Sequence, residues 1–152
     1  VIPANNLTND STQGPIDRLE RIEFTVPGVA VPQGSKQGYV VGKRAVIVDA
    51  NKAKLKPWRT LVRDHAETVL AGRTGFDRAC FVLVDFHLPR PKSVFRLRPS
   101  VKPDVDKLAR SILDSLTDSG VLKDDSLVVS LSVQKYYADD KPYVRIAVGE
   151  LA

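Results

Sequence analysis

The sequence predicts an α/β (α+β) chain: a single mixed β-sheet with two main helices packed on it. Three observations carry that expectation. Short stretches near both ends alternate apolar and polar residues with the period of two that a half-buried strand requires. Two longer stretches, at about 51–71 and 105–118, repeat their apolar residues at helical spacing. Between them Ala79 to Leu88 is almost continuously apolar, rich in β-branched and aromatic residues, as suits a central strand. With 152 residues the chain is long enough for one domain with a sizeable core.

In chain order, residues 1–15 are polar and rich in Asn, Thr, Ser and Pro, which reads as a flexible lead-in, leaving 16–152 as the domain. Ile22, Phe24 and Val26 alternate with Glu23 and Thr25 to give the first strand. Tyr39–Val41 and Ala45–Val48 flank Gly42-Lys43 and predict a hairpin. In the first helix Trp58, Leu61, Val62, Val69 and Leu70 fall broadly on one side; Pro57 suggests a start near Lys56, and Gly72 a stop. Pro-Arg-Pro at 89–91 ends the central strand and opens a basic, proline-interrupted loop that runs to Pro103. Val105, Leu108, Ile112, Leu113 and Leu116 then define the second helix, closed by Gly120. Leu127 to Val133 and Tyr143 to Val148 alternate as two further strands, and the turn-rich link between them is consistent with a hairpin.

Composition excludes some chemistry. One cysteine, Cys80, precludes an intrachain disulfide and fits a reducing, cytoplasmic setting. With only His65 and His87 beside it, zinc is a poor expectation. No apolar run reaches the ~20 residues of a membrane span, so no membrane partner is expected. The net charge of +5 is concentrated in Lys52–Arg63 and Arg90–Lys102, which permits a phosphate-binding surface without requiring one.

The informative stretch is 102–125. Asp104 and Asp106 stand at the start of the second helix, and Asp124-Asp125 in the turn before the next strand. Carboxylates in such a group can hold Mg²⁺, which takes hard oxygen ligands and keeps several waters. The ion can neutralise a scissile phosphodiester and activate water. Plainer readings stand beside this one: Asp104 as a helix N-cap, Asp106 as a dipole partner, Asp124 and Asp125 as turn formers. The second helix is roughly 20 Å long at 1.5 Å per residue, so joining Asp125 to Asp104 requires 121–123 to run back along it.

At these residues the sequence resembles the RusA family of Holliday-junction resolvases. The ordered string is Asp104-Val105-Asp106, Arg110, Asp114-Ser115-Leu116, Gly120, Asp124-Asp125, Val128, with weaker likeness at Pro32–Lys36 and in the Trp58–Arg63 helix. The resemblance implies a RusA-like homodimer dependent on Mg²⁺ or Mn²⁺ that nicks opposing strands of branched, four-way DNA. It implies Asp104, Asp106 and Asp125 as catalytic metal-binding carboxylates. Arg110 stands where the family usually has lysine; it can stabilise phosphate charge but not readily release a proton. Lys107 stands where asparagine is common. Lys36, Arg90, Lys92, Arg96, Arg98, Lys102 and Lys107 are the candidate DNA-binding residues. A nuclease of the same fold acting on flaps or forks, and a non-catalytic basic DNA-binding module, are the competing readings.

Overall fold

A computed structural model describes residues 19–34, 36–49 and 51–151; the expected lead-in at 1–15 lies outside them. The elements are β1 (Arg21–Pro27), β2 (Lys36–Val41), β3 (Arg44–Asp49), α1 (Lys52–Leu70), β4 (Cys80–Leu88), α2 (Val105–Asp118), β5 (Val128–Tyr137) and β6 (Tyr143–Glu150), with a 3₁₀ turn at Asp125–Leu127. A four-stranded mixed sheet has the order β1-β6-β4-β5, and β2-β3 forms a separate two-stranded ribbon. This is the expected α+β fold of one mixed sheet and two helices, with the ribbon standing off it.

The alternation read in β1 is realised as burial: Ile22, Phe24 and Val26 point inward and their neighbours outward. Val82, Val84 and Phe86 of β4, with Val144, Ile146 and Val148 of β6, extend the same inner face. Trp58, Val62, Ala66 and Leu70 of α1 and Leu108, Ile112 and Leu116 of α2 bury against it. The buried hydroxyls of Ser111 and Ser115 donate to Leu108 O and Ser111 O within α2, so neither is stranded in the core. Ser119 ends that helix, and Gly120 follows with φ +87°, a backbone conformation glycine adopts without strain.

Two expectations are corrected. First, β5 and β6 do not form a hairpin. β5 pairs parallel with β4, and β6 pairs antiparallel along the other side of β4. The crossover through α2 returns the chain parallel to β4, as a helical connection does. The 138–142 link then steps across β4, where Ala138 N donates to Leu88 O at 2.8 Å. Skipping one strand means crossing roughly 10 Å, within reach of five residues. Second, α1 begins at Lys52 rather than near Lys56 and carries Pro57 in its interior. The proline forfeits one backbone bond, while burial of Trp58 and Val62 just beyond it holds the helix together.

Candidate active site

The site is organised by the N-terminal end of α2. Asp104 occupies the N-cap position with extended backbone (φ −71°, ψ 142°), yet its side chain makes no capping hydrogen bond. Its carboxylate instead faces Lys107, Oδ2 to Nζ 3.6 Å. Asp106 follows, exposed in the first turn. The segment entering the helix is fastened by Lys135 of β5, whose ammonium donates to Val101 O at 2.7 Å and Pro103 O at 2.8 Å.

A second fastening comes from the 32–34 loop. Gln33 N donates to Lys107 O at 2.9 Å, and Gln33 Nε2 donates to Asp114 Oδ2. Gly34 has φ +101°, and a Cβ there would lie 3.3 Å from Arg110 Nη1. The glycine thus lets the loop lie directly against the Arg110 guanidinium. From α1, Arg59 Nη2 reaches Asp118 Oδ2 at 2.6 Å. Loop, α1 and the Lys107–Arg110–Asp114–Asp118 side of α2 are therefore joined. Among the described residues Arg110 has no ion-pair partner.

Beside this arrangement is a cleft of about 530 Å³ lined by Val29–Pro32, Asn51, Lys54, Lys102, Pro103, Asp104 and Lys107. Three ammonium groups and one carboxylate around an open concavity suit a phosphate-bearing ligand approaching an acidic centre. Lys54 was not among the candidate DNA-binding residues. It lay within the recognised basic stretch 52–63, but charge alone did not say which of those lysines faces the cleft. Gln33 was visible only as part of the Pro32-Gln33-Gly34 loop.

Asp125 is placed elsewhere. β4, α2 and β5 form a crossover that sets Asp104 at the end of β4 where Leu88 lies. Asp125 lies toward the other end, three residues before Val128, the partner of Cys80. Residues 121–123 do not return along the helix. Leu122 bridges Phe76 ahead of β4, and Lys123 N donates to Phe76 O at 3.0 Å. The 14 residues of α2 separate the two ends, a length of about 21 Å at 1.5 Å rise per residue. Among the described residues, no group of three His, Cys, Asp or Glu side chains is gathered to hold a metal ion. One chain thus brings Asp104 and Asp106 to one end of α2, beside Arg110, and leaves Asp125 toward the other.

Asp124 is the turn former of the adjacent pair: its carboxylate accepts from Ser126 N at 3.0 Å and from Ser126 Oγ. The Ser126 hydroxyl and then its backbone N–H hold the Asp124 carboxyl below the ordinary carboxylate range. Asp125 is exposed and has no ion-pair partner among the described residues.

Three of the candidate DNA-binding arginines are used to hold their own loop. Arg90 Nη1 donates to Arg96 O at 2.9 Å and its guanidinium lies over the Tyr137 ring. Arg96 Nε donates to Tyr137 Oη at 2.9 Å, and Arg98 Nη1 to Gln134 Oε1 at 3.0 Å. Lys92 is exposed, Lys102 and Lys107 line the cleft, and the Lys36 side chain lies outside the described residues. His87 stacks between Tyr136 and Tyr143, with ring centroids 5.0 and 4.2 Å away. His65 Nδ1 lies 2.9 Å from Leu61 O, so both histidines are engaged in packing or local bonding. Trp58 is buried in the core, and the Cys80 thiol donates to Arg78 O, its pKa raised chiefly by burial.

Residues 27–149 match the model of the family described as Endodeoxyribonuclease RusA. The chain belongs to the RusA endodeoxyribonuclease family. A relative from Bacillus subtilis (strain 168), named "Uncharacterized protein YqaN", is 32% identical over 149 residues, covering 88% of this chain and 99% of its own length. The RusA match takes in the 32–34 loop, both helices, Asp104 through Asp125 and most of β6. The fold and the endonuclease class therefore rest on the same residues that build the cleft. In this RusA-family chain no helix of the described residues is long and apolar enough to cross a membrane.

Proposed function

We propose that the protein is a Mg²⁺- or Mn²⁺-dependent endonuclease that resolves four-way DNA junctions as a homodimer. The observation that carries this reading is the exposed Asp104 lining a lysine-rich cleft, with Asp106 exposed two residues on in the first turn of α2. Asp104 holds the N-cap position without using its carboxylate as a cap. Two carboxylates together with substrate phosphate oxygens form a donor set suited to Mg²⁺. When bound, the ion would supply charge neutralisation and an activated water. Arg110, close beside Gly34 and without an acidic partner among the described residues, is the residue to stabilise charge building on the phosphate. Lys54, Lys102 and Lys107 bind and orient the backbone without reading sequence.

The third carboxylate, Asp125, joins this site from a second chain. Its position about one helix length from Asp104 favours that origin over any closure within one chain. A two-fold pairing that sets one chain's Asp125 end against the other's Asp104 end yields two equivalent sites, matching the pseudo-symmetry of a four-way junction. The β2–β3 ribbon supports association. A two-stranded hairpin is marginal alone in water, and this one exposes Tyr39, Val41, Val40 (72%) and Ile47 (71%). Val40 and Ile47 share one side of the ribbon and Tyr39 and Val41 the other, and apolar surface left exposed in this way favours burial against a partner.

The test is cleavage of an immobile four-way junction in Mg²⁺, against flap, fork and plain duplex. The wild type is expected to cut the junction preferentially and symmetrically, and Asp106→Asn to bind without cutting. Mixing inactive Asp104→Asn with inactive Asp125→Asn chains should restore nicking, because the mixed dimer contains one site with both aspartates intact. No recovery from demonstrably mixed dimers refutes the shared site. Equal cleavage by wild type and Asp106→Asn refutes the reading as a whole.

A further inference from the structure

The 89–103 loop presents two large apolar side chains almost entirely to solvent: Phe95 is 90% exposed and Leu97 87%. Neither is a stray end of a mobile segment. The residues alternating with them reach across to β5, Arg96 bonding the Tyr137 hydroxyl and Arg98 lying 4.0 Å over the Tyr136 ring. Arg90 ties the loop's base through Val94 O and Arg96 O. The arginines thus act as bolts to β5, and their alternation leaves Phe95 and Leu97 on the outward side. A loop held in this way presents its apolar side chains already ordered, which lowers the entropy lost when they enter another molecule.

Charge identifies the occupant. Between Pro89 and Pro103 the sequence has Arg90, Lys92, Arg96, Arg98 and Lys102 and no acidic residue. The arginines' partners are carbonyls, an amide, a hydroxyl and aromatic rings. Among the described residues none of the five pairs with a carboxylate. A second copy docking through this loop would oppose like charges, and a lipid interior would have to receive them. A polyanion with apolar stacking surfaces satisfies both the arginines and the side chains between them. The loop also leads directly into Asp104 and lies against Gln134 and Lys135, so it occupies the carboxylate end of the fold.

We propose that Phe95 and Leu97 form an apolar wedge that enters the base stack of DNA at a branch point. This rests on the nuclease reading above and deepens it by naming how branched substrate is distinguished from linear duplex. Apolar side chains inserted between base steps must separate stacked bases. That separation is easiest where a branch already interrupts the stack. The phosphate contacts then hold any duplex, while the wedge favours the branched one.

The experiment uses the full chain without divalent metal, so binding is not followed by cleavage. A four-way junction carries 2-aminopurine beside the branch point, and a linear duplex of the same length carries it centrally. The wild type is expected to raise fluorescence severalfold on the junction and little on the duplex. Phe95→Ser/Leu97→Ser should lose that rise and bind the junction about tenfold more weakly, given the strength of single aromatic–base stacks. Its affinity for linear duplex should stay within about twofold. Phe95→Trp should keep the rise, and the double variant's retained affinity for linear duplex guards against misreading a folding defect.

A double variant that keeps the fluorescence rise overturns the wedge, as does one that weakens junction and duplex equally. A double variant that sediments as monomer where the wild type is dimeric also overturns it, assigning these side chains to a subunit interface. Failure of the parent reading is separate. Wild type that opens the junction but does not cut it in Mg²⁺ refutes the nuclease and leaves the wedge standing. Wild type that cuts the junction without a fluorescence rise refutes the wedge alone, and no junction binding refutes both.

Discussion

Asp104→Asn removes one negative charge at the start of α2 and keeps the side chain's size. The stability change follows from three contacts. No capping hydrogen bond is lost, because the aspartate makes none, and asparagine is itself a favoured N-cap. The Lys107 ion pair at 3.6 Å is lost, but its side chains are 50% and 36% exposed on the Asp104 and Lys107 sides, a setting where such pairs contribute about 0–1 kcal/mol. The lost dipole interaction contributes about 0.3–1 kcal/mol. The fold should therefore weaken by no more than about 2 kcal/mol, a fall of at most roughly 4–8 °C in Tm for a chain of this size. Cleavage should fall much further. Loss of groups that merely support a metal ligand reduces activity or affinity by about 10–100-fold, so loss of a ligand should exceed a hundredfold. Urea denaturation and junction cleavage on the same preparation separate the two. A variant that loses several kcal/mol and cuts in proportion to its folded fraction would show the carboxylate to be structural. A stable variant that cuts like wild type would remove Asp104 from the site.

Two further outcomes follow from packing and charge. Leu116→Ala empties a fully buried position where α2 meets the core, so urea denaturation should show a loss of about 2–5 kcal/mol. His87 is held below its ordinary pKa of 6.5 first by burial and then by Arg145, against the opposing pull of Asp85 and Asp139. Folding thus favours the neutral ring. Its contribution is complete above pH 6.5 and is lost as pH falls through the lower folded value. His87→Phe keeps a ring between Tyr136 and Tyr143, so its urea midpoint should decline less than that of the wild type between pH 7 and 5. Equal declines would place the acid sensitivity elsewhere.

Much of this architecture was legible in the chain. The period of two in Ile22–Val26 and the helical spacing from Val105 to Leu116 record which side of each element meets apolar neighbours, and that is a local property. The ordered string Asp104 to Asp125 carried the family, and the family model confirms it over residues 27–149. Pairing was not legible in the same way. Val128–Tyr137 and Tyr143–Glu150 look like a hairpin because they are adjacent, but β4 lies between them. Alternation specifies which face a strand buries and not which strand it lies beside. The same limit applied to the aspartates. Their order is what resembles the family, whereas the direction of α2 and the Phe76–Leu122 bridge decide that a single chain parts Asp125 from Asp104. Only the tertiary structure could also show that Asp104 does not cap its helix, and that Phe95 and Leu97 are turned to solvent while the arginines between them fasten the loop. Those are relations between segments distant in sequence, and no spacing along the chain encodes a distance across the fold.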